Sequence, residues 1–360
     1  MADSSVPLKI VVVGPLPPPA GGMAMQTVQL KALLEARGHL VTLIPVNSPY
    51  QPSFIGKIPV LRAMFRLSGY IMTLLMSLRG QDAVHMMANS GWSFHLFAKP
   101  AVNIARLYRV RVIMNYRGGN ARKFFDHSWK FIKGTLSKVD TIVVPSGFLQ
   151  CVFSDYNFST EVVPNIIDLQ RFKYQPPRLN KERLHLIVTR NLEPIYDNAT
   201  AIRAFGKVLI SYPNAILTVA GEGPQLSMLK SLTKELSIAD KVTFVGRLGR
   251  EQMAELYTDA DIMINPSTVD NMPNSILEAL ASGVLVVSTN VGGIPFMVQD
   301  EVDAMLVEKG NDQAMCDAIK HLISNPELAT SIAERGLENA KRYTAQQVLP
   351  KLEKLYVGSN

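Results

Sequence analysis

Residues 267–283 read STVDNMPNSILEALASG, and two carboxylates stand eight positions apart in that stretch. Asp270 falls in a polar loop after the strand-like DIMINP (261–266). Glu278 falls in the first turns of a helix expected to begin near Asn274 and to end at Gly283. With Asn274 as the predicted N-cap, the N–H groups of Ser275 and Ile276 lie at the positive end of that helix, a preformed site for a diphosphate. A carboxylate accepts two hydroxyls at once, so Asp270 and Glu278 can each hold a vicinal diol. A ribose and a hexose are two such diols, and in a nucleotide sugar they flank a diphosphate. The competing reading makes Glu278 a charge that favours the first helical turn and Asp270 an ordinary turn residue.

A second candidate is PLPPPAGGMAMQT (15–27), which joins the first strand to the first helix. Gly21 and Gly22 remove side chains where backbone would approach a ligand; a plain strand-to-helix turn is the alternative. The loop is not G-x-G-x-x-G and no acid closes the second strand, which argues against NAD. GEGPQLSMLK (221–230) lacks the Gly-Lys-Ser/Thr of a P-loop. His85, in HMMANSGW, is either a contact to donor or acceptor or a packed histidine, and His39 is expected in a turn. Asp259 and Asp261 straddle a helix end and a strand start, so a structural turn and no metal site are expected.

The elements that must position these residues follow a regular alternation. Strand-like runs at 9–14, 40–46, 82–87, 111–116 and 141–145 are separated by helical patterns near 24–37, 60–78, 92–107 and 122–137. A polar stretch after Pro164, containing Pro176-Pro177, is expected to be a linker. A second series has strands at 185–190, 215–221, 241–246, 261–266 and 284–289, with helices at 198–211, 225–237, 250–258 and 275–282. Helices over 312–324, 327–342 and 344–357 close the chain. Two such βαβ series in 360 residues predict two Rossmann-like α/β domains. Their expected limits are 1–170, 180–342 and a C-terminal helix within 343–360 that packs back on the first domain.

Composition narrows the classes. Apolar residues make up 47% and charged residues 19%, as in a globular protein. Cys151 and Cys316 form neither a disulfide framework nor a metal spacing, which points to a reducing compartment. MADSSVPLKIVVVG is expected to be a first strand rather than a signal peptide. No apolar run is long enough to span a bilayer. The stretch 58–79 is interrupted by Arg62, Arg66 and Gly69, so it is either a crossover helix or a basic surface that touches a membrane. A net charge of +7 favours anionic partners such as nucleotides or acidic membranes.

The acid-x7-acid pattern before a small-residue helix, followed by VVSTNVGGIP, resembles the hallmark of glycosyltransferase family 4, the group 1 glycosyltransferases with the GT-B fold. LTVAGEGPQLSMLK, VTFVGRL, ELYTDADIMINPS, VVPNIIDLQRF and RGHLVTLI follow that family's order. The resemblance implies two facing domains with a deep interdomain cleft. It implies a retaining, metal-independent transfer from a nucleoside diphosphate sugar to a saccharide or lipid-linked acceptor in envelope polysaccharide or glycolipid synthesis. No cofactor and no nucleic acid are expected, and the location is cytoplasmic, with the inner face of a membrane as one option. By resemblance, Glu278 holds the donor ribose, Asp270 the transferred sugar and Arg190 the diphosphate, making these three the catalytic candidates. Asn274, Ser275, Ile276, Gly221, Gly21 and Gly22 complete the donor set, and His85, Arg117 and Gly118 are candidates for acceptor or phosphate.

The chain also departs from that pattern. Asp270 stands where Glu is usual and Pro273 where Gly is common. No Lys follows Arg190, its place being Ile195 or Tyr196. Arg117-Gly118 replaces a common His-Gly, and a guanidinium stays charged where an imidazole would be neutral. Two alternatives stay open: a sugar-nucleotide epimerase, and a catalytically silent partner protein of the same fold.

Overall fold

A computed structural model gives the fold and describes residues 6–18, 21–48, 59–179 and 182–358, with the side chains of 59–65, Arg62 among them, outside that set. The chain divides into two compact units, one of residues 1–165 and 346–360, the other of 166–345.

The first unit carries a parallel sheet of β1 (Lys9–Gly14), β2 (Leu40–Pro45), β3 (Ala83–Ala88), β4 (Arg111–Tyr116), β5 (Thr141–Val144) and β6 (Glu161–Val162), in the order β2-β1-β3-β4-β5-β6. The helices that cover it include α1 (Gly22–Ala36), α2 (Pro59–Ser77), α3 (Lys99–Leu107), α4 (Ala121–Leu136) and α5 (Gly147–Ser154). Val11, Val13, Val84, Met86, Val112 and Met114 lie in the core against these helices. Strands buried on both faces read as continuous apolar runs, which is why β1, β3 and β4 are legible in the sequence, whereas edge strand β2 alternates. A π-helical turn over Phe94–Ala98 precedes α3, inside the stretch expected to be one regular helix.

The second unit repeats the design with β7 (His185–Val188), β8 (Ile216–Ala220), β9 (Val242–Gly246), β10 (Ile262–Asn265), β11 (Leu285–Thr289) and β12 (Met305–Val307). Their order is β12-β11-β10-β7-β8-β9. The chain runs outward from β7 to β9 on one side, then returns to β10 and runs outward on the other. The junction of β7 and β10 is therefore the topological switch point, where doubly wound sheets leave a crevice beyond the strand carboxyl ends. Its helices include α6 (Asn198–Leu209), α7 (Leu226–Glu235), α8 (Arg250–Asp259), α9 (Asn274–Ser282), α10 (Asp312–Ser324) and α11 (Pro326–Lys341).

The stretch expected to be a linker is mostly packed. Ile167 and Phe172 lie in the core of the second unit with Tyr257 and Ile276. The Gln175 N–H donates to the Ser282 carbonyl at 3.0 Å. Gly283 takes φ +78 where a Cβ would strike the Gln175 carbonyl and Tyr174. The prolines there shape a strap that covers α9, because an extended proline-rich segment can pack its side chains without forming a ladder.

The C-terminal helix α12 (Ala345–Val357) clusters with the first unit from Gln346 onward. Arg37 donates twice to the Glu353 carboxylate, at 2.9 and 3.0 Å, and Arg111 Nε donates to the Leu355 carbonyl at 2.7 Å. His39 directly follows the turn at 37–38 and is buried, with Leu8 N–H donating to its Nδ1 at 3.2 Å. Tyr356, buried on α12, meets His85 Nδ1 at 2.8 Å. Tyr356→Phe would leave the His85 Nδ1–H without a partner, so a loss of about 1–3 kcal/mol is expected in urea unfolding.

Candidate functional site

The loop after β10 is held by polar side chains inside the sheet end. Asn265 Nδ2 donates to Ser288 Oγ at 2.9 Å, Ser267 Oγ to Asn265 Oδ1 at 2.9 Å, and Thr289 Oγ1 to the Ser267 carbonyl at 2.6 Å. Asn265, Ser267, Ser288 and Thr289 are all fully buried. Such groups stay buried only when hydrogen-bonded, so the network fixes where the loop leaves the strand. The loop then presents Asp270. Its Oδ1 accepts from the Asn271 N–H at 2.9 Å, and its carbonyl accepts from the Gly293 N–H at 3.0 Å. Gly292 has φ +55 and no room for a Cβ against the Asp270 carbonyl, so the Gly-Gly pair is a structural requirement of this loop.

Arg190 leaves the carboxyl end of β7, the neighbouring strand at the switch point. Its Nη2 donates to Asp270 Oδ2 at 2.5 Å, and its Nη1 lies 3.4 Å from Ser275 Oγ. Its guanidinium carbon stands 4.0 Å over the Tyr196 ring, a cation–π contact. Tyr196 occupies one of the two positions where a second cation would be expected, so an aromatic face backs the first cation. Arg190 Nε is buried without a hydrogen bond among the described residues, which leave the guanidinium unsaturated.

Glu278 is half-buried one turn into α9, beside Tyr257 of α8. The Tyr257 hydroxyl donates to the Ser275 carbonyl at 3.1 Å and lies 2.7 Å from Thr189 Oγ1. With its proton directed toward Ser275 and Glu278, Tyr257 accepts from Thr189. Burial pushes the Glu278 carboxyl up to about 7, against the lowering effect of the Tyr257 hydrogen bond and the Arg190 charge. Arg190, Asp270, Ser275 and Glu278 thus come together in one polar group at the β7–β10 switch point.

Three expectations change in detail. Asn274 is the first residue of α9, not its cap; Pro273 holds the cap position with no side-chain hydrogen bond. Proline fits there because its fixed φ suits a helix start. The Ile276 N–H is taken by the Pro273 carbonyl at 3.2 Å and is not free. Gly221, at the end of β8, is required by packing: a Cβ would overlap the Arg190 carbonyl. Gly221→Ala is therefore expected to lower Tm and to displace Arg190, a coupling visible as a melting shift without any ligand.

The first unit holds a separate group. Arg117 follows β4, and its Nε donates to Asn115 Oδ1 at 3.0 Å. Asn115 Nδ2 faces His85 Nε2 at 3.1 Å, so that nitrogen is the acceptor and Nδ1 carries the proton to Tyr356. His85 is fully buried, and burial with the Arg117 charge holds it down to about 3, neutral at ordinary pH. It is a packed histidine. At Gly118 a Cβ would overlap Ser90 Oγ, so this glycine serves the close approach to the turn after β3. Gly21 caps α1 and Gly22 opens it; a Cβ at either would meet nothing within 4 Å among the described residues. Asp261 Oδ2 accepts from the His185 N–H at 2.8 Å, a structural turn, and no cluster of three metal-ligating side chains occurs among the described residues.

Residues 170–339 match the family model for glycosyl transferases group 1. That segment, a little under half of the chain, lies wholly within the second unit. Among the proteins the chain is similar to is N-acetyl-alpha-D-glucosaminyl L-malate synthase of Bacillus anthracis, 28% identical over 224 residues, covering 61% of this chain and 56% of that protein. Another is a GDP-mannose-dependent phosphatidylinositol monomannoside mannosyltransferase of Mycobacterium tuberculosis, 27% identical over 195 residues and covering 50% and 51%. The chain spans about half the length of these curated relatives. Anabaena Alr3699/HepE, solved with UDP, superposes with a TM-score of 0.74 at 16% identity over 96% of this chain and 99% of that one. Sucrose-phosphate synthase of Thermosynechococcus elongatus superposes with 0.72 at 17% identity over 97% and 98%. The chain has the GT-B fold, two Rossmann-like units of six parallel strands each.

Sequence reasoning missed Tyr257, Thr189 and the Asn265–Ser267–Thr289 network, and had Tyr196 only as one of two places for an absent cation. Polar residues inside the apolar strands IMIN and LVVST were a signal for the last of these.

Proposed function

We propose that the protein is a retaining, metal-independent glycosyltransferase that moves a sugar from a nucleoside diphosphate sugar to a hydroxyl of a saccharide or lipid-linked acceptor. The observation that carries this reading is the Arg190–Asp270–Ser275–Glu278 group at the switch point beside the α9 N-terminus. The unsaturated Arg190 and the first turn of α9 take the diphosphate, Glu278 the ribose, and Asp270 hydroxyls of the transferred sugar. The electron pair of the anomeric C–O bond leaves with the diphosphate. The acceptor oxygen bonds to the same face, and its proton passes to the leaving phosphate. Protein cations and helix N–H groups then supply the charge stabilisation that a metal gives elsewhere. The names of the relatives, with a UDP complex and lipid or malate acceptors among them, support a nucleotide donor and envelope or glycolipid acceptors.

A cytoplasmic protein that visits an anionic membrane fits α4, which exposes Phe131 together with Lys123, Lys130 and Lys133. No helix among the described residues is long and apolar enough to cross a membrane.

A thermal-shift panel of UDP-, GDP- and ADP-sugars tests the donor. A ligand at a hundred times its Kd raises stability by about 2.7 kcal/mol. No shift with any nucleotide would sink the reading and favour a silent partner protein, for which Tyr196 in place of a cation is the supporting observation. Mass spectrometry after incubation with donor alone separates an epimerase, which isomerises it, from a transferase awaiting its acceptor.

A further inference from the structure

Arg117 is held by neutral amides rather than by a carboxylate. Arg37, Arg106 and Arg122 each have a carboxylate partner: Glu353, Asp140 and Asp155. Arg117 is half-buried and has none among the described residues. Instead, its Nε donates to Asn115 Oδ1 at 3.0 Å, and both hydrogens of Nη1 go to the side-chain oxygens of Gln26 and Asn165. Three neutral amides orient the guanidinium and bring no charge. Nη2, with two N–H groups, makes no hydrogen bond among the described residues. The cradle is prebuilt. Gly118 is pressed against Asn89 and Ser90, and Asn115 is backed by neutral His85 and Tyr356. Burial draws Arg117 down only to about 9, so it remains a cation at neutral pH. A desolvated cation without a counter-charge is costly, and a rigid fork with one open edge matches an oxyanion.

We propose that the first unit binds a saccharide substrate bearing its own anionic group, a carboxylate or a phosphate ester, and that Arg117 Nη2 receives that group. The proposal takes from the glycosyl-transfer reading only that the substrate is a saccharide. It adds that the substrate is acidic.

The full chain, saturated with UDP, is titrated by calorimetry or saturation-transfer NMR with glucose, glucuronate and glucose 6-phosphate. One of the two acids is expected to bind at least ten-fold more tightly than glucose, and which one does so separates carboxylate from phosphate. Arg117→Gln should abolish that preference, Arg117→Lys should keep part of it, and UDP affinity should change less than two-fold in either. Equal binding of neutral and acidic sugars by the unaltered protein overturns the proposal, a comparison that stands even if Arg117→Gln folds poorly. A preference retained in Arg117→Gln, or UDP affinity lost in parallel, overturns it as well. Failure of the unaltered protein to bind UDP would count against the glycosyl-transfer reading alone, because the preference for acid over glucose is still measurable without nucleotide.

Discussion

Glu278→Gln is expected to weaken UDP binding about a hundredfold with the fold intact. The amide matches the carboxylate in shape and can still accept from Tyr257, so α9 and Ser275 keep their places. What is lost is one charged acceptor for two hydroxyls. Hydrogen bonds to a charged group contribute about 1.5–3 kcal/mol each, and a net loss near 3 kcal/mol corresponds to roughly two orders of magnitude in Kd. Calorimetry with UDP checks this, and wild-type affinity in the Gln variant would remove Glu278 from the donor site. The same group sets a pH dependence. With the carboxyl raised to about 7, the ionised form that accepts the diol becomes dominant only above neutrality. UDP affinity should therefore rise with pH through about 7, level off only well above it, and be flatter in Glu278→Gln. Stability of the empty protein runs the other way. Between the ordinary carboxyl value of 4.5 and about 7 the folded chain holds the extra proton. It then loses stability as pH rises through that window. Melting curves at pH 5 and pH 8 should diverge more for the wild type than for Glu278→Gln.

Arg190→Ala is expected to lower turnover by about 10²–10³-fold, the usual consequence of removing one preorganised group that stabilises developing charge. It should also destabilise the empty protein, because Asp270, nearly buried, loses the cation that offsets its desolvation. The two effects separate in a double variant. Adding Asp270→Asn to Arg190→Ala removes the orphaned charge, so Tm should recover while turnover does not. A coupling of about 1–3 kcal/mol in that cycle would be ordinary for a contacting charged pair. Turnover recovering together with Tm would show that Arg190 acts only as a structural partner of Asp270.

The expected consequences of these substitutions depend on neighbours that sequence spacing does not disclose. Glu278 and Asp270 were legible because an acid in a loop and an acid eight residues later bracket a helix start, a local relation. Tyr257 was not legible. It lies on a different helix, and nothing in REQMAELYTD distinguishes the face that packs on α9. Tyr196 was noted only as the place of a missing cation; its position under Arg190 depends on a turn at Pro194–Tyr196. Arg117 was visible as an unusual residue, but its lack of a carboxylate partner belongs to the packed chain.

The sequence by itself determined the two-unit α/β architecture, because strands buried on both faces must be apolar throughout and the helices between them must be amphipathic. KIVVVG, RVIMNY and LVVST show this directly. Short elements escaped it: Glu161–Val162 and Met305–Val307 are too brief for periodicity to register, and their pairing comes from the neighbouring strand. Only the tertiary structure decided that β7 and β10 are neighbours, and so that Arg190 meets Asp270 across 80 residues of chain. Strand order is set by how helices pack over the sheet as a whole, a non-local choice that no single stretch of residues encodes.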